Sequence, residues 1–218
     1  MTLTVSNLAC FRTGRLIFSD QSFTIDAGEA VMLRGPNGSG KSTMLRALAG
    51  MLPFEGDVVL NGVPLGKDHD GVQEQIAYAG HLDAIKPQLT VGENLTFWAR
   101  LFEGGSIDDA VEQFALAEIW DRPAHACSAG QKRRLGLARL VVSGRVLWLL
   151  DEPTVSLDVE TTARFAGIIK AHCAGGGMAL IATHIDLGLD TPREIMLDPN
   201  VVRKSIPSND PFLSEAWE

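Results

Sequence analysis

Short apolar runs alternate along the chain with stretches of helical periodicity. The runs predict strands at Ala30–Leu33, Val58–Leu60, Val146–Leu150 and Met178–Thr183. The last two runs are apolar at nearly every position, which is typical of strands buried on both faces of a parallel sheet. Asn61-Gly62 comes directly after the second run and favours a tight turn there.

Helical patterns fill the stretches between these strands. The first helix is predicted over Ser42–Ala49, with Gly50 as its C-terminal cap. Ser106 and Asp109 form a candidate capping box for a second helix. The apolar face of that helix repeats at Val111, Phe114, Ala115 and Ile119. Another helix begins near Ser128, and a last one carries Phe165, Ile168, Ile169 and His172. Strands and helices in this order predict an α/β core that is interrupted by a helical stretch near 90–140.

Composition and charge narrow the class of protein. The 218 residues are 45% hydrophobic and 21% charged, which is ordinary for a globular chain. A net charge of −8 argues against binding nucleic acid through its phosphates, because that requires a basic face. The densest apolar runs are five residues long, far below the ~20 needed to cross a bilayer. We therefore expect a soluble intracellular chain whose membrane role, if it has one, depends on a partner.

A glycine-rich motif follows the first predicted strand and precedes the first predicted helix. It fits G-x-x-x-x-G-K-[ST] and consists of Gly35, Pro36, Asn37, Gly38, Ser39, Gly40, Lys41 and Ser42, with Thr43 following. Glycines let the backbone N–H groups face a polyphosphate, and the helix N-terminus adds its dipole. In this motif Lys41 reaches the β- and γ-phosphates, and the Ser42 hydroxyl binds Mg²⁺. The sequence therefore predicts a nucleotide site here.

Two acidic residues end the strand Val146–Leu150. Asp151 is placed to hold Mg²⁺, directly or through water, and Glu152 is placed to orient and polarise an attacking water. Taken alone, such a pair is most often a solvated helix cap, but the phosphate-binding motif upstream favours the catalytic interpretation.

The segment Cys127–Arg134 opens a predicted helix. Ser128 can cap that helix, and the free N–H groups beside it form an anion site. In isolation, the segment is more typical of a capped helix with a solvated basic turn.

Together these motifs resemble the ATP-binding-cassette (ABC) ATPases over nearly the whole chain. The family signature, usually Leu-Ser-Gly-Gly-Gln, appears here as Cys127, Ser128, Ala129, Gly130 and Gln131. The loop after the acidic pair ends at Asp158, the switch histidine corresponds to His184, and Phe11 falls where the family stacks an aromatic ring on adenine. The resemblance implies an α/β P-loop NTPase core, with a RecA-like, mostly parallel sheet, antiparallel N-terminal strands and a short helical insertion carrying the signature.

The resemblance also implies how such a chain works. Mg²⁺ and ATP bind in an ATP-dependent homodimer, in which Ser128, Ala129, Gly130, Gln131 and Asp158 act on the nucleotide of the other subunit. Glu152 and His184 are the implied catalytic residues. The implied single domain has its core at 1–84 and 140–198, a helical subdomain at 85–139 and a C-terminal tail at 199–218.

The chain departs from the family pattern at three positions. Cys127 replaces the leucine of the signature, and Ala129 replaces its first glycine. His81 stands where the family has the glutamine of the Q-loop. A histidine there can bind metal or water in its neutral form, and the less favoured alternative is a lining residue without a nucleotide role.

One segment indicates a subfamily. Gly80-His81, Lys86 and the Ser-Ala-Gly-Gln signature look like those of the ATPase subunit of the haem exporter in cytochrome c maturation. This implies a peripheral subunit on the cytoplasmic face of a bacterial inner membrane, bound to the exporter's polytopic membrane subunits. We expect no direct haem binding, because the chain lacks a Cys-x-x-Cys-His motif. The ATPase of another transporter and a soluble cluster-assembly ATPase remain alternatives.

Overall fold

The computed structural model describes residues 1–66, 69–190 and 192–197, apart from the side chain of His69. The predicted tail at 199–218 lies outside these residues. Within the described ranges the strands are β1 Thr2–Arg12, β2 Arg15–Asp26, β3 Ala30–Arg34, β4 Glu55–Leu60, β5 Val63–Pro64, β6 Ile76–Ala79, β7 Leu147–Asp151, β8 Met178–Ala182 and β9 Arg193–Met196. The α-helices are α1 Lys41–Leu48, α2 His69–Gln73, α3 Val91–Phe102, α4 Ile107–Gln113, α5 Ala129–Ser143 and α6 Val159–Ala174.

The strands form two sheets. One is parallel, with the order β6-β7-β8-β3-β9, and the other is antiparallel, with the order β2-β1-β4-β5. The prediction of a mostly parallel sheet with antiparallel N-terminal strands is confirmed. The predicted strand Val58–Leu60 forms the end of β4 and lies in the antiparallel sheet.

The parallel sheet is buried on both faces, as the apolar runs predict. Every residue of β7 and β8 is buried. Leu147 and Leu149 of β7 point into a core shared with α1 and the antiparallel sheet. Trp148 and Leu150 point into a second core, which holds the apolar faces of α3, α4, α5 and α6. No helix of the described ranges is long and apolar enough to span a bilayer.

The helix predicted over 106–119 is shorter than the sequence pattern suggests. Ser106 caps α4 by accepting a hydrogen bond from the Asp109 amide (3.1 Å), but the helix ends at Gln113. Ala115 turns out of the helix with a φ of +48°, is exposed, and leaves Leu116 to fill the core position. Arg134 fixes this end because its Nη1 donates to the carbonyls of Phe114 and Ala115, which a longer helix would use itself.

The division into a core and a helical insertion stays a prediction. The segment 85–139 contains α3, α4 and most of α5, and α5 continues past residue 139 to Ser143.

Candidate active site

The glycine-rich loop lies between β3 and α1. Lys41 is the first residue of α1, and its Nζ donates to the carbonyls of Gly35 (2.7 Å) and Pro36 (3.1 Å). Gly35 adopts a φ of +148°, and a Cβ there would lie 2.6 Å from the Leu197 carbonyl oxygen, so that only glycine fits. The ammonium group is thus held against the loop at the helix N-terminus, where the helix dipole favours phosphate.

Asp151 ends β7 with a carboxylate that is 1% exposed and fully engaged. Its Oδ1 accepts a hydrogen bond from the Ser42 hydroxyl (2.9 Å). Its Oδ2 accepts one from the Tyr78 hydroxyl (3.2 Å), to which Arg46 Nε also donates (3.3 Å). The two predicted Mg²⁺ ligands, Ser42 and Asp151, therefore lie together although they are far apart in the sequence. Thr43 follows Ser42 within α1.

Tyr78 is a site residue that the sequence analysis missed. Burial raises the pKa of its hydroxyl, outweighing the opposite effect of the Arg46 hydrogen bond, so the group stays protonated and donates to Asp151. The chain has one tyrosine, and it stands at the end of β6 beside β7. A single tyrosine at this position was the feature of the sequence that could have drawn attention to it.

Glu152 and His184 come together at the carboxyl edge of the parallel sheet. Glu152 adopts a φ of +47°, and its amide donates to the Ala182 carbonyl (2.8 Å). Its Oε1 lies 3.6 Å from His184 Nε2, and the His184 side chain is 56% exposed. The Thr183 carbonyl, which accepts from Arg34 Nη1 (2.7 Å), anchors the segment before His184. The two side chains therefore lie next to each other, with His184 on the solvent side of Glu152.

The signature segment is built from local contacts. Ser128 Oγ accepts a hydrogen bond from the Gln131 amide (3.2 Å), and Gln131 Oε1 accepts one from the Ser128 amide (2.9 Å), so the two residues form a capping box for α5. Asp158 caps α6 by accepting from the Thr161 amide (2.7 Å), and this bond lowers the pKa of the Asp158 carboxyl. A cavity of about 400 Å³ lies here; its lining includes Ser128, Gly130, Gln131, Arg134, Asp158 and Arg164.

This grouping brings together four of the five residues predicted to act on a second subunit. Ala129, the fifth, is exposed in the first turn of α5, next to the cavity but not in its lining. Within the described ranges, no residue of the glycine-rich loop lines the cavity. The signature segment and the phosphate loop of one chain therefore form separate surfaces.

Two predicted site residues stand apart from these groups. Phe11 lies in β1 and is 37% exposed, so its ring is available for stacking. His81 is exposed in the loop after β6, and across the described part of the chain its ring makes no hydrogen bond or ion pair.

The interpretation of Cys127–Arg134 as a solvated basic turn is wrong for Arg133. Its side chain is buried, and it donates to the carbonyls of Gly80, Glu152 and Pro153 and to the carboxylate of Asp83. The helical spacing carried a signal, since Leu137 and Leu140 follow at i+4 and i+7 and are both buried.

Comparison with known proteins shows which family this chain resembles. A family model described as "ABC transporter" matches residues 18–155. Curated sequences named "Cytochrome c biogenesis ATP-binding export protein CcmA" are similar to this chain over most of their length. The protein from Ruegeria pomeroyi is 52% identical over 97% of this chain and 98% of its own. The protein from Paracoccus denitrificans is 52% identical over 90% of this chain and 89% of its own.

Solved structures share the fold. The ATP-binding subunit of an ABC transporter superposes with a TM-score of 0.82 at 24% identity, covering 91% of this chain and 87% of that one. A dimeric ATP-binding cassette in a post-hydrolysis state, bound to ADP and Pi, superposes with a TM-score of 0.78 at 23% identity, covering 90% of this chain and 94% of that one.

Proposed function

This chain belongs to the ABC transporter family and is one of its ATPases, and from that membership we propose that it is the ATP-hydrolysing subunit of the haem exporter, or haem-chaperone release complex, of cytochrome c maturation. The observation that carries this proposal is the 52% identity to a curated cytochrome c biogenesis export protein over 97% of the chain. The Gly80-His81 and Lys86 pattern is in keeping with it.

The phosphate loop and the end of β7 fit a Mg²⁺-bound nucleotide. Lys41 and the N-terminus of α1 bind the β- and γ-phosphates. Ser42 and Asp151 offer hard oxygen donors, 2.9 Å apart, of the kind that Mg²⁺ prefers. When bound, Mg²⁺ neutralises charge that develops on the phosphate oxygens. Phe11 supplies a ring for the adenine.

Glu152 and His184 carry out the proton chemistry. The Glu152 carboxylate accepts a hydrogen bond from the attacking water and draws off its proton, and His184, whose Nε2 lies 3.6 Å from Glu152 Oε1, orients the same water. Hydrolysis needs the signature of a second subunit as well, because Ser128, Gly130, Gln131 and Asp158 line a surface separate from the phosphate loop. We therefore propose an ATP-dependent homodimer with two composite sites.

The same proposal specifies where in the cell the chain acts and which proteins it binds. The chain binds peripherally, at the cytoplasmic face of a bacterial inner membrane, to polytopic subunits of the exporter. Haem itself stays on those partners.

A Lys41→Ala variant in cells tests the proposed role. Hydrolysis should fall by orders of magnitude, because this substitution removes the side chain that neutralises the β- and γ-phosphates. The fold should survive, since the hydrogen bonds of Lys41 Nζ in the described part of the chain go to the Gly35 and Pro36 carbonyls of its own loop. Cells that carry only this variant should still make b-type cytochromes and lack covalently haem-bound c-type cytochromes on haem-stained gels.

The control is the wild-type chain expressed at the same level. Normal c-type cytochromes together with a different export or uptake defect would instead identify the ATPase of another transporter. Co-purification with soluble scaffold proteins rather than membrane subunits would identify a cluster-assembly ATPase.

A further inference from the structure

The loop between β6 and α3 is held at two points. Buried Asn94 accepts a hydrogen bond from the Lys86 amide (2.8 Å) and donates to the Lys86 carbonyl (3.0 Å). Asp83 forms an ion pair with Arg133 Nη1 (2.7 Å). Between β6 and these attachments, the Leu82 side chain is 86% exposed. The loop is therefore braced against the protein and presents an apolar residue outwards.

One buried guanidinium joins this loop to the end of β7. Arg133 Nη1 donates to the Gly80 carbonyl and the Asp83 carboxylate, both at 2.7 Å. Arg133 Nη2 donates to the Glu152 carbonyl (2.9 Å), and Nε donates to the Pro153 carbonyl (2.8 Å). A planar group with five donors in a fixed fork can make these four bonds at once, and a lysine cannot.

The backbone of Glu152 depends on such support. Its φ of +47° lies in the left-handed region, which a non-glycine residue adopts only when its surroundings hold it there. Its amide donates to the Ala182 carbonyl, and its own carbonyl accepts from Arg133 Nη2 (2.9 Å) and, at a longer distance, from the Val155 amide (3.4 Å). The Arg133 bond is the shorter of the two at the carbonyl, so its loss alters where the Glu152 carboxylate points.

We propose that Arg133 is a positioning residue that sets the orientation of Glu152. Because Arg133 also binds Gly80 and Asp83, this orientation depends on whether loop 80–86 stays in contact with α5. The inference rests on the proposed role of Glu152 in hydrolysis. When the loop is pulled away, Gly80 and Asp83 leave the guanidinium, and Arg133 loses the contacts that keep it on the Glu152 carbonyl. Hydrolysis then slows while ATP binding persists, because Lys41 and Ser42 have other partners.

Gly136 gives a way to disturb the loop without touching Arg133. A Cβ on Gly136 would lie 2.6 Å from Asp83 Cβ and 2.8 Å from Asp83 Oδ1. Gly136→Ala should therefore displace Asp83 from its position against α5. Gly167 in α6 provides the matched control, since a Cβ there meets nothing within 4 Å.

The experiment measures single-turnover hydrolysis and ATP affinity of the full chain. Arg133→Lys should lower the hydrolysis rate about tenfold, because small displacements of a catalytic group are costly. Its ATP affinity should stay within about twofold of wild type, since the change affects the reacting step rather than ground-state binding. Gly136→Ala should shift the rate in the same direction by less, and Gly167→Ala should match wild type in both quantities.

A double variant separates positioning from a general loss of structure. In a Glu152→Gln background, Arg133→Lys should cause no further loss of hydrolysis, because there is no carboxylate left to position. The same fractional loss in both backgrounds would overturn the proposal, and so would a wild-type rate for Gly136→Ala with a shifted Asp83. If Arg133→Lys fails to fold, Gly136→Ala in the two backgrounds decides the same question.

The two proposals fail differently. Wild-type hydrolysis by Glu152→Gln would overturn the proposed function of Glu152 and, with it, this inference. An inactive Glu152→Gln variant beside a fully active Arg133→Lys variant would overturn only the role of Arg133.

Discussion

The phosphate loop and the signature segment are both placed at a helix N-terminus, yet they are built differently. Ser42 pairs with Asp151 across 109 positions of sequence, so the phosphate side exists only once the parallel sheet has formed. Ser128 pairs with Gln131, three positions away, and borders an open cavity. The phosphate side therefore depends on contacts between distant parts of the chain, whereas the cap of the signature segment is made locally; under the proposed homodimer, the signature side acts on a second subunit.

Removing the catalytic carboxylate should have the largest effect on the phosphate side. Glu152→Gln keeps the shape of the side chain and removes the charge that polarises water, so hydrolysis should fall roughly 10²–10⁴-fold. ATP should still bind and trap the dimer, which light scattering in Mg·ATP would detect. Glu74→Gln, at an exposed position, is the matched control. A Glu152→Gln chain that binds ATP tightly and stays monomeric would contradict the composite site.

Mixing two inactive variants tests whether the two sides belong to different subunits. Lys41→Ala damages the phosphate side and Ser128→Ala the signature side, so each alone should be nearly inactive. A mixed dimer keeps one intact composite site, and an equimolar mixture should recover about a quarter of the wild-type hydrolysis if chains pair at random.

Loss of the α5 cap accompanies the Ser128 change and should cost about 1 kcal/mol of stability, which thermal unfolding would measure. A mixture that stays as inactive as its components would show that the two sides act within one chain.

The Tyr78 hydroxyl offers a smaller test, confined to the phosphate side. Tyr78→Phe leaves one oxygen of the buried Asp151 carboxylate without its donor, which should cost about 1 kcal/mol in unfolding free energy. Affinity for Mg·ATP, measured by calorimetry, should fall, because Asp151 is held less firmly, while dimer formation through the signature side should not change. Unchanged stability and unchanged affinity would mean that the hydroxyl contributes nothing to the site.

His81 should give the smallest effect, because its exposed ring has no partner in the described part of the chain. If the ring acts at the metal or at the attacking water, His81→Gln should change the hydrolysis rate of the assembled complex, which a phosphate-release assay would measure. Equal rates for the wild type and the variant would make His81 a lining residue only.

The sequence predicted most of what depends on local contacts. Gly35 and Gly40 bracket a loop whose shape requires glycine, and Ser128 caps α5 through a residue three positions away. The Arg133 and Tyr78 contacts were missed because their partners lie 53 and 73 positions away and are set by tertiary packing. The predicted end of α4 was wrong for the same reason, since Arg134 of another helix donates to the Phe114 and Ala115 carbonyls, where a longer helix would have continued.

Close packing of Gly136 against Asp83 also restricts how this ATPase can be recombined with its relatives. A loop transplanted from another transporter ATPase without a carboxylate at position 83 would leave the Arg133 guanidinium buried without a counter-charge, which is strongly destabilising. A helix transplanted with a larger side chain at position 136 would collide with the native loop. Chimeras should therefore exchange the loop and α5 as one unit.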